Sequence, residues 1–401
     1  MKSREASPTL KEIELYIRKL PEKYPGLVKT EIIGYSKEKR PVWVVKITDS
    51  KVSEENKQNV LIAGGHHGSE ESGRVSCLGL IEWLLTKEAI EVRRTQQIII
   101  VPSANPDGAF YNTRYNRSNI DLGWDYFLKT GPKAPETKAI AALADRYQPD
   151  VVVDVHGLAG GTVNEMVNTV PTREYSTDER VFKLIAEEMK SGAEKKGYPM
   201  DGHSMSWNGW YDRDQKEGIG YMITYCYRKY HSIGFLTESN ESPSFSISDM
   251  KKSGSARLIA LLKTGLKKYP FEYYKGYPTG VIAGSQFLSI TDLGKTAGER
   301  RKSRPGVLTN LDYFHFGRKN PEKKGEIEIN LDYKGKTLDT GLGFRCRVRG
   351  KVKLKKVLYG AKVLAVSEKD GYVTWKDSCS TYIQINIPVL SARKRSFTIK
   401  Y

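Results

Sequence analysis

Two histidines and a glutamate stand where short apolar runs give way to loops. His67 and Glu70 are three residues apart and follow the apolar run 59–65. A second apolar run, 150–155, ends in His156. Such runs are typical of buried parallel strands, whose carboxyl ends meet at the edge of the sheet where ligands bind. Histidine and glutamate are ligands that catalytic Zn²⁺ takes, about three from the protein with one position open for water. The sequence therefore predicts a zinc site at this edge.

His66 is an alternative to its neighbour His67. Only His67 keeps the three-residue spacing to Glu70, so we interpret His66 as a loop residue or as one that contacts a ligand rather than the metal. A His-x-x-Glu pair also occurs by chance, and the prediction depends on its combination with His156 at the end of another strand.

Further motifs follow in a fixed order along the chain. They are a His-x-x-Glu pair at 67–70, Asn-Pro-Asp-Gly at 105–108, Arg114, an Asp-Leu pair at 121–122, His156 and Glu238. This order resembles the zinc carboxypeptidase family typified by carboxypeptidase A, over roughly residues 10–270. The ordered set is much more specific than any one of its motifs.

The resemblance implies Zn²⁺ as a cofactor, held by the three ligands named above, and gives roles to other residues. Glu238 would act as the general acid and base, taking a proton from the metal-activated water and passing it to the leaving amine. Arg114 would stabilise the oxyanion of the reaction, and Arg117 is a second candidate for that position. Asp121 would orient His67.

Gly123 and Trp124 depart from the family pattern. After the Asp-Leu pair the family carries Asn-Arg, whose side chains grip the terminal carboxylate of the substrate. An arginine binds a carboxylate bidentately and a tryptophan cannot. We therefore predict non-standard recognition of the substrate terminus, in which Trp124 either offers a flat face to the substrate or packs as a half-buried residue. The family also uses a tyrosine near the leaving residue, and Tyr211, in a glycine-bearing polar loop, is our candidate.

Length and pattern predict two domains, because 401 residues exceed one domain of typical size. In residues 1–275, apolar runs alternate with helical stretches at 69–85, 134–147, 178–196 and 249–268. The alternation predicts a domain of α/β class, with a mixed, mostly parallel sheet and helices on both faces, and the resemblance implies that it is a zinc peptidase catalytic domain. Residues 276–401 instead give short runs at 326–330, 351–356, 361–366 and 382–387. They predict a small all-β sandwich as an accessory domain.

Positive charge is concentrated in the second domain. The chain has 65 Lys and Arg against 47 Asp and Glu, and residues 276–401 hold 25 against 11, or +14 of the net +18. Such a surface suits an anionic polymer, lipid headgroups or cell wall; the alternative is a lysine-rich surface without a partner. No nucleic acid partner is expected, because no nucleic-acid-binding motif accompanies the charge.

The cysteines and the lengths of the apolar runs bear on metal binding, membrane insertion and the compartment of the protein. The four cysteines, at 77, 226, 346 and 379, form no Cys-x-x-Cys pair. We place Cys77 in a helix and Cys226 in a strand, and leave a Cys346–Cys379 bridge open. No apolar run reaches about 18 residues, so no membrane span is expected. The start of the chain lacks a signal-peptide core. The compartment is therefore left open, and is extracytoplasmic if a leader has been removed.

Other catalytic signatures are missing from the sequence, including a Gly-x-Ser-x-Gly elbow, a His-Glu-x-x-His helix and a phosphate-binding loop. The resemblance thus implies a zinc metallopeptidase that hydrolyses peptide or amide bonds. Cell-wall peptides are a candidate substrate class, because some relatives cleave them and a basic domain suits an anionic wall. The alternative is a non-catalytic binding protein that uses the peptidase scaffold to attach to such a polymer. The complete set of zinc ligands and Glu238 argues against it.

Overall fold

A computed structural model gives the fold of the chain. It describes residues 6–54, 57–127, 130–158, 166–169, 178–198, 220–230, 232–266, 271–272, 279–283, 287–292, 311–314, 325–333, 337, 342–376, 380–389 and 391–401. The chain divides into two compact units, a first of Met1–Pro171 and Phe182–Thr264 and a second of Gly265–Tyr401 with Thr172–Val181. The predicted domain boundary at residue 275 stays a prediction, since residues 273–278 lie outside the described ranges.

Helices and strands alternate up to residue 264. The helices are α1 (Leu10–Lys23), α2 (Glu71–Leu84), α3 (Ile90–Thr95), α4 (Pro106–Tyr111), α5 (Pro135–Tyr147), α6 (Asp178–Glu194), α7 (Met222–Tyr230) and α8 (Ile247–Thr264). The strands are β1 (Val28–Tyr35), β2 (Pro41–Ile47), β3 (Gln58–Gly64), β4 (Gln96–Val101), β5 (Val151–Leu158), β6 (Met166–Thr169) and β7 (Ile233–Asn240). The four predicted helical stretches are confirmed as α2, α5, α6 and α8.

The seven strands form one mixed sheet in the order β1-β2-β4-β3-β5-β7-β6. Strands β4, β3, β5 and β7 run parallel, while β1, β2 and β6 join at the edges in antiparallel pairs. Every residue of β3 and β4 is buried. Because successive side chains of a strand point to opposite faces, both faces of the central strands are covered. The predicted α/β class is confirmed, and parallel pairing is confined to the centre of the sheet.

Helix α2 lies very close to the ends of the central strands. A Cβ atom on Gly73, in its first turn, would stand 2.5 Å from the carbonyl oxygen of Val155 in β5. Only glycine permits that approach. Helix α8 packs along α2, where Ser76 Oγ donates to the Met250 carbonyl at 3.4 Å. The start of α2 is thus held against the carboxyl ends of β3 and β5.

The second unit contains two antiparallel sheets. Their strands are β8 (Phe271–Glu272), β9 (Thr279–Ala283), β10 (Phe287–Asp292), β11 (Leu311–Phe314), β12 (Glu326–Tyr333), β13 (Leu342–Arg349), β14 (Lys356–Tyr359), β15 (Lys362–Val363), β16 (Gly371–Lys376), β17 (Ser380–Ile387) and β18 (Arg393–Lys400). The orders are β11-β10-β13-β17-β16 and β15-β14-β18-β12-β9-β8. Burial alternates along β12, and its Ile329 shares one apolar core with Phe344 and Ile385 of the other sheet. The predicted all-β sandwich is confirmed.

Three local expectations need correction or stay open. Cys226 lies in helix α7 rather than in a strand. The basic run 351–356 is extended, but β14 begins only at its last residue. Cys346 is buried and makes no disulfide with a described residue; Cys379 lies outside the described residues, so the Cys346–Cys379 bridge stays open. Among the described residues, no helix combines the length and apolar character needed to cross a membrane.

Candidate active site

His67 and Glu70 are presented by a tight turn between β3 and α2. The turn is closed by a hydrogen bond from the Glu70 N–H to the His67 carbonyl at 3.2 Å. Glu70 is the residue that precedes the first turn of α2. The buried guanidinium of Arg74, one turn into the helix, donates to the carbonyls of Gly68 and Glu70 at 2.7 and 3.3 Å. The helix that follows the motif therefore fixes the backbone that carries it.

Donor atoms of three side chains converge from this turn and from the end of β5. His67 Nδ1 lies 2.5 Å from Glu70 Oε1, and His156 Nδ1 lies 2.9 Å from Glu70 Oε2. The two Nδ1 atoms are 3.1 Å apart. All three side chains are buried. The structure thus brings together the three ligands that the sequence predicted.

This donor set fits zinc. Ligand atoms about 2.0–2.1 Å from a tetrahedral ion lie about 3.3 Å from one another, close to the separations between the two ring nitrogens and the carboxylate. Two imidazole nitrogens that face each other at 3.1 Å with a carboxylate beside them also form a set with an excess of acceptor lone pairs, which a cation satisfies. Burial alone would raise the pKa of Glu70, but His156 and His67 lower it to about 2, so the carboxylate is ionised.

Asp121 joins this cluster to Arg114. Its Oδ1 lies 3.0 Å from His67 Nε2, on the side of the ring opposite the three donor atoms. Its Oδ2 accepts a hydrogen bond from Arg114 Nε at 2.9 Å. The Arg114 side chain is 40% exposed, and its Nη1 lies 3.7 Å from Glu70 Oε1. Asp121 is thus placed to orient His67, and Arg114 is placed beside the donor set while open to a ligand.

Glu238 reaches the same edge from β7. It is the register partner of His156 on the neighbouring parallel strand. Its Oε2 is buried and makes no hydrogen bond to any described residue. Burial raises the pKa of Glu238 to about 7, although His156 opposes the change. A carboxyl group with such a pKa can both accept and return a proton near neutral pH.

The residues predicted to bind substrate do not all lie beside the donor set. Trp124 is half-buried, with its ring 5.9 Å from the guanidinium carbon of Arg114. Gly123 is buried against the donor set. Arg117 turns instead to Glu38, with Nε 2.7 Å from the carboxylate, so it is engaged outside the cluster. Tyr211 lies outside the described residues.

Sequence reasoning missed a second buried group beside His156. Asp154, two residues earlier on β5, has Oδ1 3.0 Å from His156 Nε2 and 2.7 Å from His66 Nδ1. His66 Nε2 in turn lies 2.7 Å from the Tyr126 hydroxyl. Because alternate side chains of a strand lie on the same face, Asp154 is placed beside His156, and this spacing could have identified Asp154 from the sequence. No spacing of this kind pointed to Tyr126.

Known proteins match parts of this chain. Residues 13–127 match the model of the zinc carboxypeptidase family. Carboxypeptidase D of Rattus norvegicus is 29% identical over 197 residues, which are 44% of this chain and 14% of the rat protein. Probable carboxypeptidase 2 of Trichophyton verrucosum (strain HKI 0517) is 30% identical over 163 residues, 39% of this chain and 31% of the relative. The chain therefore spans less than a third of the length of either relative.

Solved structures share the fold at low sequence identity. A metallo-carboxypeptidase from Burkholderia cenocepacia aligns with a TM-score of 0.55 and 16% identity, over 64% of this chain and 69% of that one. Thrombin activatable fibrinolysis inhibitor aligns with a TM-score of 0.52 and 21% identity, over 64% and 72%. Residues 13–127 are thus similar to zinc carboxypeptidases, and the chain shares the carboxypeptidase-like fold. The donor set is of a kind that can hold Zn²⁺, the metal of that family.

Proposed function

We propose that the first unit hydrolyses peptide or amide bonds in a zinc-dependent reaction, with a recognition of the substrate terminus that differs from that of ordinary carboxypeptidases. The observation that carries this proposal is the convergence of His67, Glu70 and His156 within 3.1 Å, with Glu238 in register beside His156. These four side chains supply a metal site and a proton acceptor at one edge of the sheet.

The side chains divide the chemistry among them. Zinc, when bound, lowers the pKa of a coordinated water and polarises the scissile carbonyl. Glu238 takes a proton from the attacking water and hands it to the leaving amine, a double role that suits a carboxyl group with a pKa of about 7. Arg114, fixed by Asp121 and partly exposed, offers its guanidinium to the negative charge that develops on the carbonyl oxygen.

The proposed difference in terminal recognition rests on Gly123 and Trp124. A Cβ atom on Gly123 would stand 2.9 Å from His67 Nε2 and 3.3 Å from Asp121 Oδ1. Such distances require the neighbours to move, so this backbone has no room for the asparagine that the family carries here. Trp124 presents an indole where the family has arginine, and Arg117 is paired with Glu38. None of these groups offers the bidentate contact that a terminal carboxylate requires.

Cell-wall peptides are the substrate class that we propose for this site. Two properties of the chain support the choice: the missing arginine clamp, and the +14 charge of residues 276–401, which suits an anionic wall. A peptide held through an attached polymer does not depend on a grip on its own free terminus.

Product analysis by mass spectrometry tests the proposal. The zinc-loaded chain is incubated with a panel of linear peptides and murein fragments, beside His156→Ala, which lacks a ligand, and Asp150→Asn. Asp150 is a buried carboxylate at the opposite end of β5 that accepts from the Asn59 N–H at 2.9 Å, so it controls for the loss of a buried polar group. We expect cleavage by the wild type and Asp150→Asn alone. A folded, zinc-loaded wild type that cleaves no member of the panel, yet binds murein, would support the binding-protein alternative.

A further inference from the structure

A chain of three buried side chains leads away from His156 into the body of the first unit. Asp154, His66 and Tyr126 are each at most 2% exposed. The Tyr126 hydroxyl lies 2.7 Å from His66 Nε2, and His66 Nδ1 lies 2.7 Å from Asp154 Oδ1. That same oxygen is 3.0 Å from His156 Nε2. The four groups therefore form a continuous series of polar contacts.

The direction of each hydrogen bond follows from the chemistry of its partners. An ionised carboxylate can only accept, so His66 donates to Asp154 through Nδ1–H. With the proton of the ring on Nδ1, His66 Nε2 accepts a hydrogen bond from the Tyr126 hydroxyl. Both nitrogens of His66 are thus engaged, which explains why this histidine, although adjacent to His67, does not join the donor set.

His156 needs a carboxylate beside its Nε2 if it is to bind a metal through Nδ1. When its Nδ1 offers a lone pair to a metal, Nε2 must carry the proton of the ring. His156 Nε2 is buried and makes no aligned hydrogen bond with a described residue. The negative charge of Asp154 at 3.0 Å is therefore the group that can stabilise that proton and make the ring a stronger ligand.

Each of the two histidines of the donor set has a carboxylate oxygen at the same distance from its Nε2. His67 Nε2 has Asp121 Oδ1 at 3.0 Å, and His156 Nε2 has Asp154 Oδ1 at 3.0 Å. The carboxylates differ in how they are held. Asp121 is tied to the partly exposed Arg114, whereas Asp154 is tied to the buried His66.

We propose that Asp154 is a positioning residue for the zinc ligand His156, and that Tyr126 and His66 hold its carboxylate in place. This inference rests on the proposed zinc site. It assigns to the buried series a role in metal affinity rather than in stability alone. Outer partners of this kind typically contribute about 10- to 100-fold to metal affinity.

Zinc affinity of the full-length chain, measured by competition with a chromophoric chelator, tests the proposal. We expect Asp154→Asn to weaken zinc binding about 10- to 100-fold. Tyr126→Phe keeps the carboxylate and removes only the outermost hydrogen bond, so it should cause a smaller loss. In the double variant Tyr126→Phe should add no further loss, because its effect passes through the Asp154 carboxylate.

Two matched variants separate this role from a structural one. Asp150→Asn removes a buried carboxylate from the far end of β5, and Tyr230→Phe removes a buried hydroxyl that contacts Asp145. Either change is expected to lower the thermal unfolding temperature without altering zinc affinity. In the Co²⁺-loaded protein, Asp154→Asn and Tyr126→Phe should shift the visible absorption bands of the metal, while the two control variants should not.

The outcomes distinguish this inference from the proposed function. If the wild type binds zinc tightly and folded Asp154→Asn binds it equally well, the positioning role is wrong and the zinc site stands. If losses in Tyr126→Phe and Asp154→Asn simply add, Tyr126 does not act through Asp154. If the folded wild type binds no zinc, both the proposed function and this inference are wrong.

Discussion

His156 and Glu238 are register partners on adjacent parallel strands, β5 and β7. Side chains at paired positions of neighbouring strands emerge on the same face of a sheet about 5 Å apart. The side chains that we propose as metal ligand and proton acceptor are therefore set side by side by the hydrogen bonding of the central sheet, without dependence on a mobile loop. The pairing accounts for the burial that raises the pKa of Glu238.

Replacing Glu238 with glutamine tests this relationship. The change is nearly isosteric, so fold and zinc content should be kept while kcat falls by about 10²–10⁴, the usual contribution of a general acid or base. Steady-state kinetics on any substrate found in the panel measures the effect. A Glu238→Gln protein that turns over at the wild-type rate would show that another group moves the proton.

The substrate terminus gives a second prediction. We propose that Gly123 and Trp124 stand where the family has its arginine clamp, so the rate on a peptide with a free C-terminus should be close to the rate on the same peptide amidated. Trp124→Arg alone should not create a preference for the free acid, since Gly123 still leaves no room for the second contact. A strong wild-type preference for the free acid would contradict the proposed loss of carboxylate recognition, and Arg117→Gln would then be the first variant to test.

Attachment to an anionic surface is the third prediction. Retention of the full-length chain on cell wall or anionic vesicles should weaken as salt rises to about 0.5 M, where the Debye length falls below about 5 Å. Lys351, Lys353 and Lys356 are exposed in the second unit, and changing all three to glutamine should reduce retention. The same change at three exposed lysines of α1 is the control: Lys11, Lys19 and Lys23. Equal losses from the two triple variants would argue against a role specific to the second unit.

The fourth prediction concerns stability and pH at Glu136. This carboxylate lies buried in the first turn of α5 and accepts from Asn116 Nδ2 at 3.1 Å. Burial raises its pKa above 4.5 in the folded chain. The folded state then binds the proton more tightly than the unfolded state, so its contribution to stability is greatest below pH 4.5 and is lost as the pH rises through the folded pKa.

Glu136→Gln should therefore raise the unfolding temperature near pH 7–8 and have little effect near pH 4, as measured by thermal melts across that range. Glu22→Gln, at an exposed position of α1, is the control and should change little at either pH. A variant that is destabilised equally at both pH values would show that hydrogen bonding, and not the buried charge, governs this site.

The sequence predicted the donor set because His67 and Glu70 lie in the short turn after β3 and His156 lies near the end of β5. Patterns of that kind are local, and the sheet brings the ends together by its parallel pairing. Tyr126 was missed because its approach to His66 depends on the path of the chain after the Asp-Leu pair, which no spacing encodes. Asp154 was visible in the strand period of two, but an aspartate in an apolar run has no meaning until its partner is known.

Errors at Cys226 and at 351–356 have physical reasons. Tyrosines flank Cys226 and favour a strand by propensity. Residues 221–226 are instead buried without interruption, and packing of the segment against the sheet decides the outcome over local propensity. In 351–356 the alternation is real, since Val352 and Leu354 pack toward the core of the sandwich. The segment is extended without a ladder, because backbone pairing depends on a neighbouring strand rather than on the alternation itself.

The strand order β3-β5-β7 has a consequence for how the site comes into being. Glu70, His156 and Glu238 are far apart along the chain and meet only after the non-local strand pairs have formed, which is a slow part of folding in sheets of this kind. An ion bound by His67, Glu70 and His156 would therefore tie the β3–α2 turn to the end of β5. It would stabilise the native unit by mass action, by about 2.7 kcal/mol at a free concentration one hundred times its dissociation constant. Chelation should thus lower the free energy of unfolding of the first unit, making metal supply a determinant of the protein's lifetime as well as of its chemistry.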